Sequence, residues 1–271
     1  MNIAVCVKPV PDAAEIRINE RNQLVREGLP LKINPADESA VEAALRLKGD
    51  GEICLVTMGS AAMGNVLKGI LAHGADRAVL VSDPAMAGSD TLVTAQTLAA
   101  AFRYLGGFDL VLCGRRAIDG ETGQTPPELA FFLGFPFVTN VTRVETDGEG
   151  SLSEGGLICE RLLETGVESL RLPLPALVSL CEYSYPLRAV SLVSLKKVRG
   201  KELIVLDRKL LGLGAEECGA TVSPTRVRRI TANETPHRSG ERETDLRAGA
   251  KKLAGMFAAA GRTPGWKREA K

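Results

Sequence analysis

Strand-length apolar runs alternate with helix-length amphipathic segments through the first half of the chain, and few folds accept that order. IAVCVK (3–8), EICLVTMG (52–59), RAVLVSD (77–83) and DLVLCGR (109–115) are nearly unbroken apolar runs, the pattern of strands covered on both faces. NPADESAVEAALRLK opens with the capping candidates Asn34, Asp37 and Ser39 and carries Val41, Ala44 and Leu45 at helical spacing. SAAMGNVLKGILAHGA (60–75) ends on a glycine stop, and SDTLVTAQTLAAAFRYLGG (89–107) has a cap at Ser89 or Asp90. TPPELAFFLG (125–134) places its prolines in the first turn, where a missing N–H costs nothing. This alternation predicts an α/β fold: a doubly wound, mostly parallel, Rossmann-like sheet.

The rhythm changes elsewhere. EIRINERNQLVREG alternates around a polar turn and reads as a small hairpin. FVTNVTRVETD, GLICERLLETGVESLRL and PALVSLCEY read as strands joined by turns, an antiparallel edge to the sheet. From Pro186 periodicity fades and Gly, Pro, Thr and Arg accumulate, so 186–271 reads as an extended C-terminal arm with one last helix over 246–261.

Several function classes are excluded at this level. The six cysteines form no CxxC pair and do not cluster with the two histidines, so no zinc site is expected. No run approaches the roughly 20 apolar residues of a membrane span, and MNIAVCVKPVPD lacks a basic signal-peptide start, so a cytoplasmic protein without membrane insertion is expected. Residues 221–271 carry 12 Lys and Arg against 5 Asp and Glu, whereas the first 220 carry 22 against 28. A basic tail behind an acidic body suggests a partner-binding arm. Nucleic acid is not expected, because that tail offers only Phe257 and Trp266 for base stacking.

In open α/β sheets ligands sit beyond the carboxyl ends of the strands. The loops falling there are KPVPD, MGSAAMG, DPAMAGSD and GRRAIDGETGQT, all rich in small residues or polar caps. Small residues let a backbone approach a phosphate, and helix-start amides hold anions. The fourth loop is about ten residues long, beyond the usual 2–6 of such connections. Its Arg115 and Arg116 are candidate phosphate partners, and Asp119 and Glu121 could accept from ribose hydroxyls or loop amides. No GxxxxGK[ST] is present, and GLGAEECG (212–219) places Glu217 where the third glycine of a dinucleotide fingerprint belongs. The reading is a nucleotide-binding protein with no catalytic side chain of its own; a nucleotide-hydrolysing enzyme or an adenine-nucleotide sensor on the same fold are the alternatives.

Six blocks in order, VCVKPVPD, NPADESAVEAALRLK, VTMGSAAM, GADRAVLVSD, DLVLCGRRAIDGETGQT and LRLPLPALVS, resemble the β subunit of electron transfer flavoprotein (the FixA family). The resemblance implies an electron carrier working as a heterodimer with an α subunit, and divides the chain into an adenine-nucleotide-binding domain over 1–185 and a partner-recognition loop with its arm over 186–271. It implies a nucleotide site lined by Cys6, Asn34, Pro35, Ala36, Asp37, Met58 and the run Gly114, Arg115, Arg116, Ala117, Ile118, Asp119, Gly120, Glu121, Thr122, Gly123, Gln124 and Thr125. The occupant implied is AMP in the common type or a second FAD in the bifurcating type, which oxidises NADH. AGSDTL (87–92) resembles the anaerobe branch, while Gly123, Thr125 and Pro126 depart from its usual DGDTAQVG. Partners implied are the α subunit and an acyl-CoA or other dehydrogenase, the latter docking on a leucine anchor matched here by Leu192 in RAVSLVSLKKVRGK.

Overall fold

A computed structural model describes residues 1–12, 30–148, 155–228 and 242–260. The strands are β1 (Ile3–Cys6), β2 (Pro9–Pro11), β3 (Leu31–Ile33), β4 (Ile53–Met58), β5 (Arg77–Val81), β6 (Leu110–Gly114), β7 (Phe137–Thr146), β8 (Gly156–Leu163), β9 (Gly166–Pro173), β10 (Ala176–Leu180) and β11 (Ile204–Leu206). The helices are α1 (Pro35–Leu47), α2 (Met63–Leu71), α3 (Thr91–Leu105), α4 (Thr125–Leu133), α5 (Leu192–Val198) and α6 (Leu246–Ala259). Nine strands form one sheet in the order β11-β5-β4-β1-β6-β10-β7-β8-β9, parallel from β11 to β7 and antiparallel across β7, β8 and β9. The doubly wound sheet with an antiparallel edge is therefore present.

Alternation within each strand splits the core into two layers. Ile3, Val5, Ile53, Leu55, Leu110 and Leu112 point to one face and pack with Val41 and Ala44 of α1 and Leu67 and Leu71 of α2. Ala4, Cys54, Val56, Val79, Val111 and Cys113 point to the other and meet Leu98 and Phe102 of α3 and Leu129 of α4. Chain order reverses between β1 and β6: β1 leads on to β4 and β6 to β7, on opposite sides. That crevice is where ligands of such sheets lie.

Two expectations are corrected. The strand read from PALVSLCEY, expected in the antiparallel edge, lies between β6 and β7 and runs parallel to both. All five residues of β10 are buried, which matches the unbroken apolar run ALVSL better than an edge position does. The stretch after Pro186, expected as an extended arm, first forms α5 and then adds β11 to the sheet beside β5. Its continuation is fixed to the start of α3: the Asp90 amide donates to Ser223 Oγ (2.9 Å), and Asp90 Oδ2 accepts from the Thr225 amide (2.9 Å). Contacts divide the chain into Met1–Ile230 and Thr231–Lys271. The hairpin read over 15–28 lies outside the described residues.

Candidate functional site

The carboxyl ends of β1, β4 and β6 carry Cys6, Met58 and Gly114 to the crest of the sheet, and α1 starts beside them. The loop leaving β6 is bound to this crest by two buried side chains of the α1 start. Asn34, 1% exposed, accepts from the Ile118 amide (3.1 Å) and donates through Nδ2 to the Arg116 carbonyl (2.9 Å). Asp37 accepts from the amides of Lys8 (2.7 Å) and Gly114 (3.1 Å) and from Asn34 Nδ2 (3.0 Å). One carboxyl thus joins the ends of β1 and β6 to α1. Burial, the larger effect, pushes that carboxyl up to about 7 against its three donors. Asn34 and Asp37 were legible as helix caps, but Asn34 makes no side-chain cap bond; both spend their polar atoms across the crevice instead.

Gly114 is dictated by this closeness. A Cβ there would collide with Asp37 Oδ1 and lie 2.7 Å from Ala36 Cβ and 2.9 Å from the Ala36 carbonyl carbon. Lys8 Nζ, which sequence reading passed over, reaches Asp119 Oδ1 at 2.7 Å and closes the loop from the β1 side. Beyond Asp119 the backbone turns through positive φ at Glu121 (52°) and Gly123 (64°) into α4. The Glu121 amide closes a turn on Ala117 O (2.8 Å). The amides of Thr122, Gly123, Gln124 and Thr125 find no acceptor among the described residues, and α4 has no side-chain cap. Successive unpaired amides at a helix start are anion chemistry.

Arg115 and Arg116, read as phosphate partners, are already answered within the chain. Arg115 Nε lies 2.7 Å from Glu182 Oε2 and Arg116 Nε 3.2 Å from Glu182 Oε1. Burial would raise the Glu182 carboxyl, but a backbone amide and these two guanidiniums outweigh it and hold the group below its ordinary range. Glu182 was missed because it lies 66 residues downstream, at the end of a strand whose place in the sheet was misread. The two arginines, Thr122, Gly123, Phe137 and Asn140 line a cavity of about 340 Å³. A larger one, about 440 Å³, runs along α3 between Leu92, Ala100, Phe132 and Leu213 and shares none of these residues.

The other expected residues are distributed as follows. Cys6 is half-buried, and its thiol on the neighbouring strand, together with burial, pushes the Cys113 thiol well up. Met58 is partly buried at the margin of the second core layer, Pro35 is the first residue of α1, and Ala36 is buried behind Gly114. Ala117 lies partly buried, Ile118, Gly120 and Gln124 face solvent, and Thr125 begins α4. The loop DPAMAGSD is closed by its own chain: Asp83 accepts from the Ala85 amide (2.9 Å), Ser89 Oγ from the Gly219 amide (3.2 Å), and Ala87 O from the Ala220 amide (3.1 Å). Of the four expected loops, the one after β6 leaves four successive amides unpaired among the described residues, and MGSAAMG leaves those of Ser60, Ala61 and Ala62 unpaired at the start of α2. Leu192 opens α5 on a Ser191 cap and is 79% exposed. The chain has no helix, among the described residues, long and apolar enough to cross a membrane.

Comparison with known proteins shows the family. The family model described as electron transfer flavoprotein domain matches residues 22–205. The chain is 38% identical over 240 residues to the electron transfer flavoprotein subunit beta of Clostridium acetobutylicum, covering 86% of this chain and 89% of that one. It is 37% identical over 240 residues to protein FixA of Azorhizobium caulinodans, covering 86% and 84%. It is 36% identical over 231 residues to the caffeyl-CoA reductase-Etf complex subunit CarD of Acetobacterium woodii, covering 84% and 86%. On the matched domain and this breadth of identity, the chain belongs to the electron transfer flavoprotein family, in its β subunit and FixA branch.

Proposed function

We propose that the crest between β1 and β6 holds an adenine nucleotide, FAD or AMP, and that the chain works in electron transfer as the partner of an α subunit. The observation that carries the reading is the row of unpaired amides from Thr122 to Thr125, on a loop tied to the crest by Asn34, Asp37 and Lys8. Two features fit a phosphate: Gly114 admits close backbone packing, and the α4 start has no side-chain cap, with Glu128 as the acid of its first turn. Asp37 does not contact the ligand in this reading. Its two oxygens already accept three bonds, so it shapes the loop that does. Arg115 and Arg116 share the single carboxylate of Glu182, so the pair keeps one excess positive charge on the loop's outer wall.

A bound flavin supplies the redox chemistry, which no side chain here can replace. The chain holds the adenosine phosphates, keeps the crest closed by the Lys8–Asp119 pair, and presents α5, with Leu192 exposed, to a dehydrogenase. The motif AGSDTL at the start of α3 favours FAD over AMP as the occupant. The test is the absorption spectrum and the mass of the nucleotide released from the purified heterodimer. Two flavins per heterodimer are expected; one flavin with AMP would reassign the occupant, and no adenine nucleotide in this chain would overturn the site.

A further inference from the structure

Between β10 and α5 the chain runs as an eleven-residue strap, 181–191, and its attachment is unusually complete for a surface connection. The Tyr185 hydroxyl accepts from the Val144 amide (2.8 Å) and donates to the Val144 carbonyl (3.3 Å). Three residues on, Arg188 meets Glu42 of α1 through three bonds: its Nε (2.9 Å) and amide (3.2 Å) to Oε2, and its Nη2 (3.0 Å) to Oε1. Glu42 is 3% exposed, and its Oε1 also accepts from Arg46 Nε (3.0 Å). Arg46 in turn lies over the Tyr185 ring, 5.1 Å from its centre. The Arg188 carbonyl accepts from the His73 ring at 2.7 Å. Three residues later Ser191 caps α5, whose Leu192, Val193 and Leu195 stand in solvent.

A carboxylate buried this deeply costs free energy unless it is paired, and here two guanidiniums answer it. No core packing needs an acid at that position of α1: its neighbours Val41, Ala43 and Ala44 pack on the sheet without it. What the acid holds is the strap, immediately before the exposed helix. We propose that Glu42 is a positioning residue for docking: through Arg188 it fixes the strap that presents α5 and Leu192. This rests on reading α5 as the docking element. The bidentate fork sets direction as well as distance, so α5 leaves the body at one angle. An apolar knob held this way meets its partner without first being ordered, and the ordering cost of association falls.

The test uses amide hydrogen exchange on the purified heterodimer. In Glu42→Gln, amides of 188–199 should exchange about tenfold faster, while those of β1, β4 and the rest of α1 keep their rates. Trypsin should cut after Lys196 and Lys197 faster by a similar factor. Arg188→Lys should recover part of the protection that Arg188→Ala loses, and both lie on the strap, so they remain readable if Glu42→Gln fails to fold. Unchanged exchange over 188–199, a uniform rise across the whole body, or no rescue by lysine would each overturn the proposal. Leu192→Ala should leave the exchange pattern untouched; if it also leaves docking untouched, the reading of α5 fails and the clamp stands.

Discussion

Asp37 and Glu42 sit five residues apart on α1, and burial acts on both in the same sense with opposite outcomes. Asp37 faces only dipolar donors at hydrogen-bond distance, and burial pushes it from 3.8 to about 7. Glu42 faces two guanidiniums; burial would raise it, but Arg188 and Arg46 outweigh that and pull it from 4.5 to about 2. The signs of their pH effects therefore differ. Between 3.8 and about 7 the folded chain keeps the Asp37 proton that the unfolded chain has released, so stability declines as pH rises through that window. Glu42 contributes stability that is present above 4.5 and lost as pH falls through about 2. Asp37→Asn should flatten the melting temperature of the protein between about pH 5 and pH 7. A wild-type slope in that variant would place the titration on another group. Gly114→Ala is the sharper residue-scale change, because its neighbours are the Ala36 backbone and a carboxyl that cannot retreat without dropping Lys8. It should cost about 1–3 kcal/mol in urea denaturation and release the nucleotide, read by mass spectrometry of the purified heterodimer. Retention at the wild-type level would separate the loop's geometry from binding. Sequence pattern made Gly114 and the loop after it visible as a place for a ligand. It could not show Lys8 or Glu182, because a lysine after a strand and an acid after a buried run are ordinary until the sheet order brings them to one loop.

Elements were legible where local pattern decides them and obscure where tertiary pairing does. β1, β4, β5 and β6 are buried on both faces and read directly as apolar runs. β10 reads the same way, yet its parallel place between β6 and β7 depends on a return from β9 that periodicity does not encode. β11 has three residues and pairs on one side only, with β5, too short for any alternation to register. α5 carries seven residues with none buried, so no apolar face marked it. Its one local signal was Ser191 ahead of Leu192, a cap followed by an exposed leucine. Leu192→Ala should weaken docking of the dehydrogenase about tenfold or more, with no change in nucleotide content or melting temperature. The measurement is the substrate-dependent reduction rate of the heterodimer's flavin as dehydrogenase is titrated. A shift in maximal rate alone, with half-saturation unchanged, would remove Leu192 from the docking surface.

At the scale of the molecule, charge and compactness divide the chain in nearly the same place. The acidic excess lies in the first 220 residues, and contacts part the chain between Ile230 and Thr231. In the second unit, α6 is capped by Asp245, which accepts from the amides of Arg247 and Ala248 (2.8 and 2.9 Å). Leu246, Leu253 and Phe257 fall on one face of α6 and are exposed, at 91%, 57% and 47%. A 14-residue helix whose apolar stripe is uncovered among the described residues is marginal in water by itself, so its stability must come from packing against something. The α subunit is the partner the family membership makes available. The cut that tests this falls after Ile230 rather than before Ser223, because Ser223 is buried and holds the start of α3 through the Asp90 amide. Deleting 231–271 should leave the melting temperature of the isolated body within about 2–4 °C of the full chain, since both core layers lie in the first unit. Affinity for the α subunit should drop about tenfold or more, measured by sedimentation of the mixed subunits. A truncated chain that still pairs at full affinity would move the whole interface onto the first unit and leave the basic tail without a partner.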